Sequence, residues 1–205
     1  MSAPRVFLVD DQPAVLKALT RLLTAAGYTV QAYDTAQAFL DSGNPGAEGC
    51  LVLDLSMPTM SGLALQQALA QRASLLPVIF LTGHGDLDSG IQAMKLGAAD
   101  FLTKPVDDAR LIAAIEQALA RNHALRADDA ERADLAARLH SLTPREAEVM
   151  NLVIEGLLNK QIAAALGTVE KTVKVHRARV MTKMQVRSVT ALVRLVDRLR
   201  AGAPP

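Results

Sequence analysis

The 205-residue chain has no tryptophan, a single cysteine, four phenylalanines and two tyrosines. Cys50 lies in an apolar run and has no possible intrachain partner, so no disulfide framework holds this chain, and the reducing cytoplasm is the expected compartment. No apolar run approaches the ~18 residues of a bilayer-spanning helix. The start, Met1-Ser2-Ala3-Pro4-Arg5, runs directly into a short apolar stretch closed by two aspartates, unlike a secretory signal. Past Phe101 there is no aromatic residue, which removes the platforms on which proteins stack unpaired RNA bases. A Walker A loop is also missing, and with it a P-loop ATPase output. Disorder is excluded from the other side, because half of the residues are hydrophobic.

Neither sign of charge dominates the whole, whose formal net is +1, but the charges are sorted along it. Residues 1–123 carry eight basic and twelve acidic residues, a net of −4; residues 124–140 carry −1; residues 141–205 carry eleven against five, a net of +6. An acidic part joined to a basic part indicates two domains with different partners, the second suited to a polyanion.

Short apolar runs recur at Val6-Phe7-Leu8-Val9, Leu51-Val52-Leu53, Val78-Ile79-Phe80-Leu81 and Phe101-Leu102, with a weaker one from Thr29 to Tyr33. Amphipathic helical stretches at about 12–26, 35–42, 63–73, 87–96 and 107–121 alternate with them. Strands apolar on both faces and separated by helices predict a five-stranded doubly wound α/β domain with a parallel, flavodoxin-like sheet. From Val106 to Leu139 no proline or glycine interrupts a helical pattern, which predicts a long last helix running into a helical linker at 124–140. Apolar residues at 111, 115, 118, 125, 136 and 139 hint at a heptad seam that Asn122, Asp129 and Arg132 would break, favouring a solvated helix over a coiled coil. Thr143-Pro144-Arg145-Glu146 then has the form of a capping box with proline at the first helical position. Four helices follow at about 144–155, 159–166, 170–184 and 188–200, ahead of a frayed Ala203-Pro204-Pro205 tail.

In doubly wound sheets, chemistry gathers at the carboxyl ends of the strands. Those ends carry Asp10-Asp11, Asp54, Thr82-Gly83 and Thr103-Lys104-Pro105. Each is commonplace alone; together they converge three carboxylates, a hydroxyl and an ammonium on one edge. Crowded carboxylates call for a hard cation such as Mg²⁺, and a lysine there suits a phosphoryl group. The set Asp10-Asp11, Asp54-x-x-Met57-Pro58-x-x-x-Gly62, Thr82-Gly83 and Lys104-Pro105 resembles the receiver domain of two-component response regulators over residues 5–121. The resemblance implies that Asp54 accepts phosphate from a sensor histidine kinase, that Thr82 and Lys104 bind the phosphoryl oxygens, and that Lys104-Pro105 is cis. It implies Mg²⁺ held by Asp11 and Asp54 directly, by Asp10 mostly through water, and by the main-chain carbonyl of Ser56. Phe101 falls at the aromatic switch position, and His84 at a position that influences how fast the phosphoryl group is lost. His123 and His140 read as surface helix residues.

In the basic part, Val169, Val173, Val180 and Met184 mark an inward face of the third helix. Lys171, Thr172, Lys174, Val175, Ala178, Arg179 and Thr182 mark the opposite one, with cations for phosphates and small or apolar groups for base edges. Leu142-Thr143-Pro144-Arg145-Glu146, Gly156, Asn159-Lys160-Gln161-Ile162-Ala163 and Lys171-Thr172-Val173-Lys174-Val175-His176 resemble the LuxR-type helix-turn-helix of NarL/FixJ regulators. An all-α, four-helix DNA-binding domain at 141–205 is therefore expected, contacting the major groove through Lys171, Thr172, Lys174, Val175 and Arg179.

The expected whole is a response-regulator transcription factor: a receiver at 1–123, a helical linker, and a DNA-binding domain. Phosphorylation promotes a homodimer on promoter DNA, with RNA polymerase as a further partner and no membrane involved. Such a protein assists its own Mg²⁺-dependent phosphorylation and dephosphorylation but is not an enzyme toward an external substrate. The alternatives are a phosphoaspartyl phosphatase-type enzyme, or a receiver with a protein- or RNA-interaction output. The first often wants a second aspartate two residues past the nucleophile, where Ser56 stands.

Overall fold

The computed structural model describes the backbone of residues 3–83 and 87–201 and the side chains of 3–83 and 90–197. His84 and the 203–205 tail, for which the sequence carries expectations, lie outside the described residues. The chain divides into two compact units at Ala127/Asp128.

In the first unit, strands β1 (Arg5–Val9), β2 (Thr29–Tyr33), β3 (Cys50–Asp54), β4 (Val78–Thr82) and β5 (Asp100–Thr103) alternate with helices α1 (Pro13–Ala25), α2 (Ala36–Asp41), α3 (Gly62–Gln71), α4 (Leu87–Lys95) and α5 (Asp108–His140). All pairings are parallel, in the order β2-β1-β3-β4-β5. The expected doubly wound sheet is present, and a 3-10 turn at Asn44–Gly46 is an element the sequence pattern does not predict.

Period-two alternation in the inner strands builds a core on each face. Phe7, Val9, Leu51, Leu53 and Phe80 point to the side of α2, α3 and α4, where Phe39, Leu65, Leu69 and Ala93 meet them. Val6, Leu8, Val52, Ile79 and Leu81 point to the side of α1 and α5, against Leu19, Leu23, Leu111 and Ile115. β2 is an edge strand with no fully buried residue, which is why its apolar pattern is weak. Burial pushes the Cys50 thiol up to about 12, so this cysteine is a protonated core residue.

The heptad seam hinted at by residues 111, 115, 118, 125, 136 and 139 does not run the length of α5, in keeping with the preference for a solvated helix over a coiled coil. Leu111, Ile115 and Ala118 are buried, Leu125 and Ala136 are exposed, and the inward residue near the far end is Leu135. Asn122, which the sequence suggests would interrupt the stripe, is instead completely buried within it. Its Oδ1 accepts from the Gly49 backbone N–H at 3.1 Å and its Nδ2 donates to the Leu75 carbonyl at 2.7 Å, tying the helix to the segments that start β3 and β4. One turn on, Arg126 donates to the Gly46 carbonyl at 2.6 Å and to that of Ala47. Residues 127–134 are all exposed, so the solvated stretch is shorter than the sequence suggests.

The second unit holds the end of α5 and four helices, α6 (Pro144–Ile154), α7 (Asn159–Ala165), α8 (Glu170–Lys183) and α9 (Val189–Ala201). Leu135, Val149, Val153, Ile162, Val173, Val180, Met184 and Leu192 form its core. The expected capping box is present: Thr143 Oγ1 accepts from the Glu146 N–H, and Glu146 Oε2 accepts from the Thr143 N–H. One expectation fails, because Val169 is 64 % exposed. It precedes the first turn of α8 and has extended backbone, so the helical period does not govern where it points.

The Asn122 bridge yields a stability prediction. Asn122→Ala leaves a buried N–H and a carbonyl without partners, a cost of about 2–4 kcal/mol in receiver stability by urea titration. A loss below about 1 kcal/mol would contradict the bridging role.

Candidate functional site: an acidic pocket and an exposed basic helix

The carboxyl ends of β1, β3, β4 and β5 come together where the sheet order reverses, as the parallel topology requires. Asp10 and Asp54 are 2 % and 4 % exposed, and Asp11 is half-buried between them and solvent. One carboxylate oxygen from each of Asp10, Asp11 and Asp54 lies within 4.8 Å of the others. The Lys104 Nζ reaches this cluster from beyond β5, 2.6 Å from Asp10 Oδ2 and 3.1 Å from Asp54 Oδ1. The Lys104-Pro105 bond is cis, and the Lys104 N–H donates to the Thr82 carbonyl at 2.6 Å.

Three carboxylates around one ammonium leave two negative charges uncompensated in a largely desolvated place. Burial pushes the Asp54 carboxyl above its ordinary range; the hydrogen bond and charge of Lys104 oppose this, while Asp10 and Asp11 add to it. Burial works against the Lys104 ammonium, but its bonds to Asp10 and Asp54 outweigh that and raise its pKa. The buried Oδ1 of Asp11 accepts no hydrogen bond. An orphaned carboxylate oxygen, an all-oxygen donor set and a charge deficit of two together fit a divalent cation.

The loop after β3 is shaped by the same pocket. At Gly62 a Cβ would stand 2.5 Å from the Asp54 carbonyl oxygen and 2.9 Å from the Phe80 ring, so only glycine lets the chain return this closely to the end of β3. Ser56 is exposed two residues beyond Asp54. Thr82 is buried, with its hydroxyl donating to the Gly83 carbonyl at 3.3 Å. Phe101 is half-buried on β5, packed against the core beneath α4.

In the second unit, Lys171, Lys174, Val175, Ala178, Arg179 and Thr182 are exposed along α8, and Thr172 is half-buried. The opposite face is anchored by Val173, Val180 and Met184, so the cationic face points outward. Lys174 pairs with Glu170 at 3.2 Å, both well exposed, an arrangement that water and salt weaken readily. His176 is half-buried with an unpartnered Nδ1, and Arg177 donates to Asn159 on α7 at 3.0 Å. Sequence reasoning missed the main polar tie. Glu146, the capping-box acid, also pairs with Lys183 of α8 at 2.6 Å, and Lys183 donates to the Ser141 carbonyl at 2.7 Å. The capping box points to Glu146, but its partner lies 37 residues away and carries no local signal.

Residues 6–116 match the response regulator receiver domain family, and residues 140–196 match the bacterial regulatory proteins of the luxR family. The chain is 44 % identical over 200 residues to the transcriptional regulatory protein FixJ of Azorhizobium caulinodans, with 98 % of this chain and 94 % of that one covered. It is 43 % identical over 195 residues to the response regulator protein TmoT of Ectopseudomonas mendocina, covering 95 % of this chain and 89 % of the relative. Among solved structures, the response regulator StyR superposes with a TM-score of 0.90 at 45 % identity, covering 96 % of this chain and 99 % of StyR. Full-length FixJ from B. japonicum gives 0.61 at 41 % identity, covering 99 % of this chain and all of that one.

The Glu146 tie predicts a pH signature. The Lys183 hydrogen bond and the Thr143 N–H hold the Glu146 carboxyl down to about 2, below its ordinary 4.5. A depressed carboxylate stabilises the fold above its unfolded pKa and loses that contribution as pH falls. The stability gap between the full-length protein and its Glu146→Gln variant should therefore be full at neutral pH, narrow below about 4.5 and close near 2. A gap independent of pH would show that the carboxylate charge is not what binds α6 to α8.

Proposed function

The chain belongs to the response regulators that join a receiver domain to a LuxR-type DNA-binding domain, and we propose that Asp54 is the phosphoacceptor through which it regulates transcription. The observation that carries this reading is Lys104, whose ammonium bridges Asp10 and Asp54 inside an acidic cluster with a charge deficit.

Each residue then has a definite task. An Asp54 oxygen attacks the phosphorus of a phosphohistidine on the partner kinase, and the N–P bond to the leaving imidazole breaks. Lys104 exchanges its 3.1 Å contact with Asp54 for a phosphoryl oxygen, retaining Asp10 as the anchor that aims it. The Thr82 hydroxyl, now spent on the Gly83 carbonyl, is free to turn toward another phosphoryl oxygen. Asp11 and Asp54 are suited to hold Mg²⁺ directly, with the Ser56 main-chain carbonyl as a third protein donor. Asp10 is suited to act through water, because its Oδ2 is taken by Lys104 and its Oδ1 by the Gln12 N–H. When bound, the cation supplies positive charge for the phosphoryl oxygens. Ser56 stands where a phosphatase-type enzyme wants its second aspartate, which favours the regulator reading over that alternative.

At the other end, α8 enters the major groove with Lys171, Lys174 and Arg179 on phosphates or base edges and Thr172 and Val175 against bases. One such helix reads few base pairs, so specificity calls for two half-sites and a homodimer on promoter DNA. Ile91 and Met94, 49 % and 47 % exposed on α4, offer the receiver an apolar face for that pairing. RNA polymerase is the further partner in this reading. No helix among the described residues is long and apolar enough to cross a membrane, and a cytoplasmic site of action fits the single buried cysteine.

Two experiments bear on the two ends. A small phosphodonor with Mg²⁺ should label the protein with one acid-labile phosphoryl group, and Asp54→Asn should abolish it; equal labelling of the Asn variant would refute the phosphoacceptor. DNA affinity should fall steeply with salt through counterion release, and Lys171→Ala and Lys174→Ala should each weaken it by roughly 1–3 kcal/mol if the lost contact reads a base. Indifference to salt and to both substitutions would redirect the basic domain toward a protein partner.

A further inference from the structure

Helix α8 ends in a turn that its own sequence does not favour. Gln185 has φ +55°, in the left-handed region where a helix end usually places glycine. The turn closes on the backbone all the same: the Gln185 N–H donates to the Thr182 carbonyl at 3.1 Å and the Val186 N–H to the Met181 carbonyl at 3.0 Å. This pattern leaves over the carbonyl of Met184, the cap residue. Arg138, near the end of α5, takes it, donating from Nη1 at 3.3 Å. A guanidinium there also faces the end of α8 at which the aligned peptide dipoles gather negative charge.

Arg138 is not a surface group that happens to reach this far. It is half-buried, its Nη2 pairs with Asp134 at 2.5 Å, and its Nε is shut off from solvent without an acceptor. An orphaned buried donor costs free energy, so the side chain stays in place only because its other contacts hold it. The neighbouring residues on that face of α5 are built in as well. Leu135 is 4 % exposed in the core that also contains Met184, and Leu139 packs against it. One residue before Met184, Lys183 is held by Glu146 and the Ser141 carbonyl. The end of α5 thus serves the second unit as a fifth helical segment, although the match to the luxR family starts only at residue 140.

We propose that Arg138 is a positioning residue for DNA reading: by holding the Met184 carbonyl it fixes the end of α8, and with it the orientation in which Lys171, Lys174, Val175 and Arg179 are presented. Discrimination between sequences then depends on a residue outside the segment that matches the family. The proposal rests on the assignment of α8 to the major groove made above. Its consequence is selective, because base-edge contacts need close registration, whereas contacts of flexible cations with phosphates tolerate displacement. Loosening the end of α8 therefore costs specific binding far more than non-specific binding.

The test compares two duplexes on the full-length protein: one enriched by the wild type from a random-sequence pool, and a scrambled version of it. Arg138→Met keeps the apolar stem and removes the guanidinium. At a temperature where circular dichroism shows the variant fully folded, the ratio of its two affinities should fall about fivefold or more, the low end of what one base contact is worth. Affinity for the scrambled duplex should stay nearly unchanged. A merely stabilising residue would lower the urea midpoint and leave that ratio untouched, and an untouched ratio would overturn the proposal. Arg138→Lys, whose compact ammonium cannot serve both Asp134 and the Met184 carbonyl, should fall between the two. If Arg138→Met does not fold, the lysine variant carries the test, and a wild-type ratio there would overturn it. Amide exchange gives a second readout: Met184 to Val186 should exchange severalfold faster in the variants, with α6 unaffected. Equal acceleration in both helices would show general loosening and also overturn the proposal. If the wild type enriches no sequence, the assignment of α8 to DNA fails instead, while the exchange comparison still decides whether Arg138 holds the end of that helix.

Discussion

Lys104 sits between Asp10 and Asp54, and the electrostatics of that bridge govern the receiver. One ammonium cannot neutralise three clustered carboxylates, so the pocket keeps two unbalanced negative charges in a place with little water. A folded domain tolerates such a deficit only where something else completes it. A divalent cation would restore the balance, and under the proposed function a phosphoryl group on Asp54 would give Lys104 a new anion to hold. The rest of the receiver meets the demand of bringing these groups within a few ångströms. The parallel sheet delivers β1 and β3 side by side, the glycine at 62 lets the loop fold back on Asp54, and the backbone bond from Lys104 to Thr82 aligns the last two strand ends.

The same logic of charge placed against burial runs through the second unit with the opposite outcome. There the buried carboxylate of Glu146 is fully answered, by Lys183 and by the backbone of Thr143, and it fixes α6 to α8. With Val173, Val180 and Met184 holding the inner face, the outer face is left to cations that have almost no protein partners. The receiver pocket thus holds an incomplete charge balance, while the buried carboxylate of the DNA-binding unit is fully paired. That contrast suits a switch on one side and a rigid reading head on the other.

The strands, the helices and the pocket were legible because each rests on local signals. Continuous apolar runs mark β1, β3 and β4, and aspartate, threonine and lysine stand at or immediately after strand ends, where topology alone makes them meet. Partnerships across long sequence distances were not legible. Asn122 reads as a polar interruption of an apolar stripe, yet occupying that stripe at the 3–4 residue spacing was itself the sign of a buried role. Arg126 looks like one more charge on a solvated helix, and nothing nearby indicates the Gly46 and Ala47 carbonyls that it binds. Val169 differs for another reason: the helical period ends one residue short of it, at a cap position where the backbone is extended.

Under the proposed function, completing the charge balance around Asp54 changes how the basic helix engages DNA. The direct measurement is the affinity of the full-length protein for one promoter duplex at fixed salt, before and after treatment with a small phosphodonor and Mg²⁺, with labelling at Asp54 quantified in the same sample. Labelling should raise the affinity by about tenfold or more, within the usual range of coupling between sites, and Asp54→Asn should show no gain. A fully labelled protein that binds the duplex no more tightly than the unlabelled one would contradict this coupling.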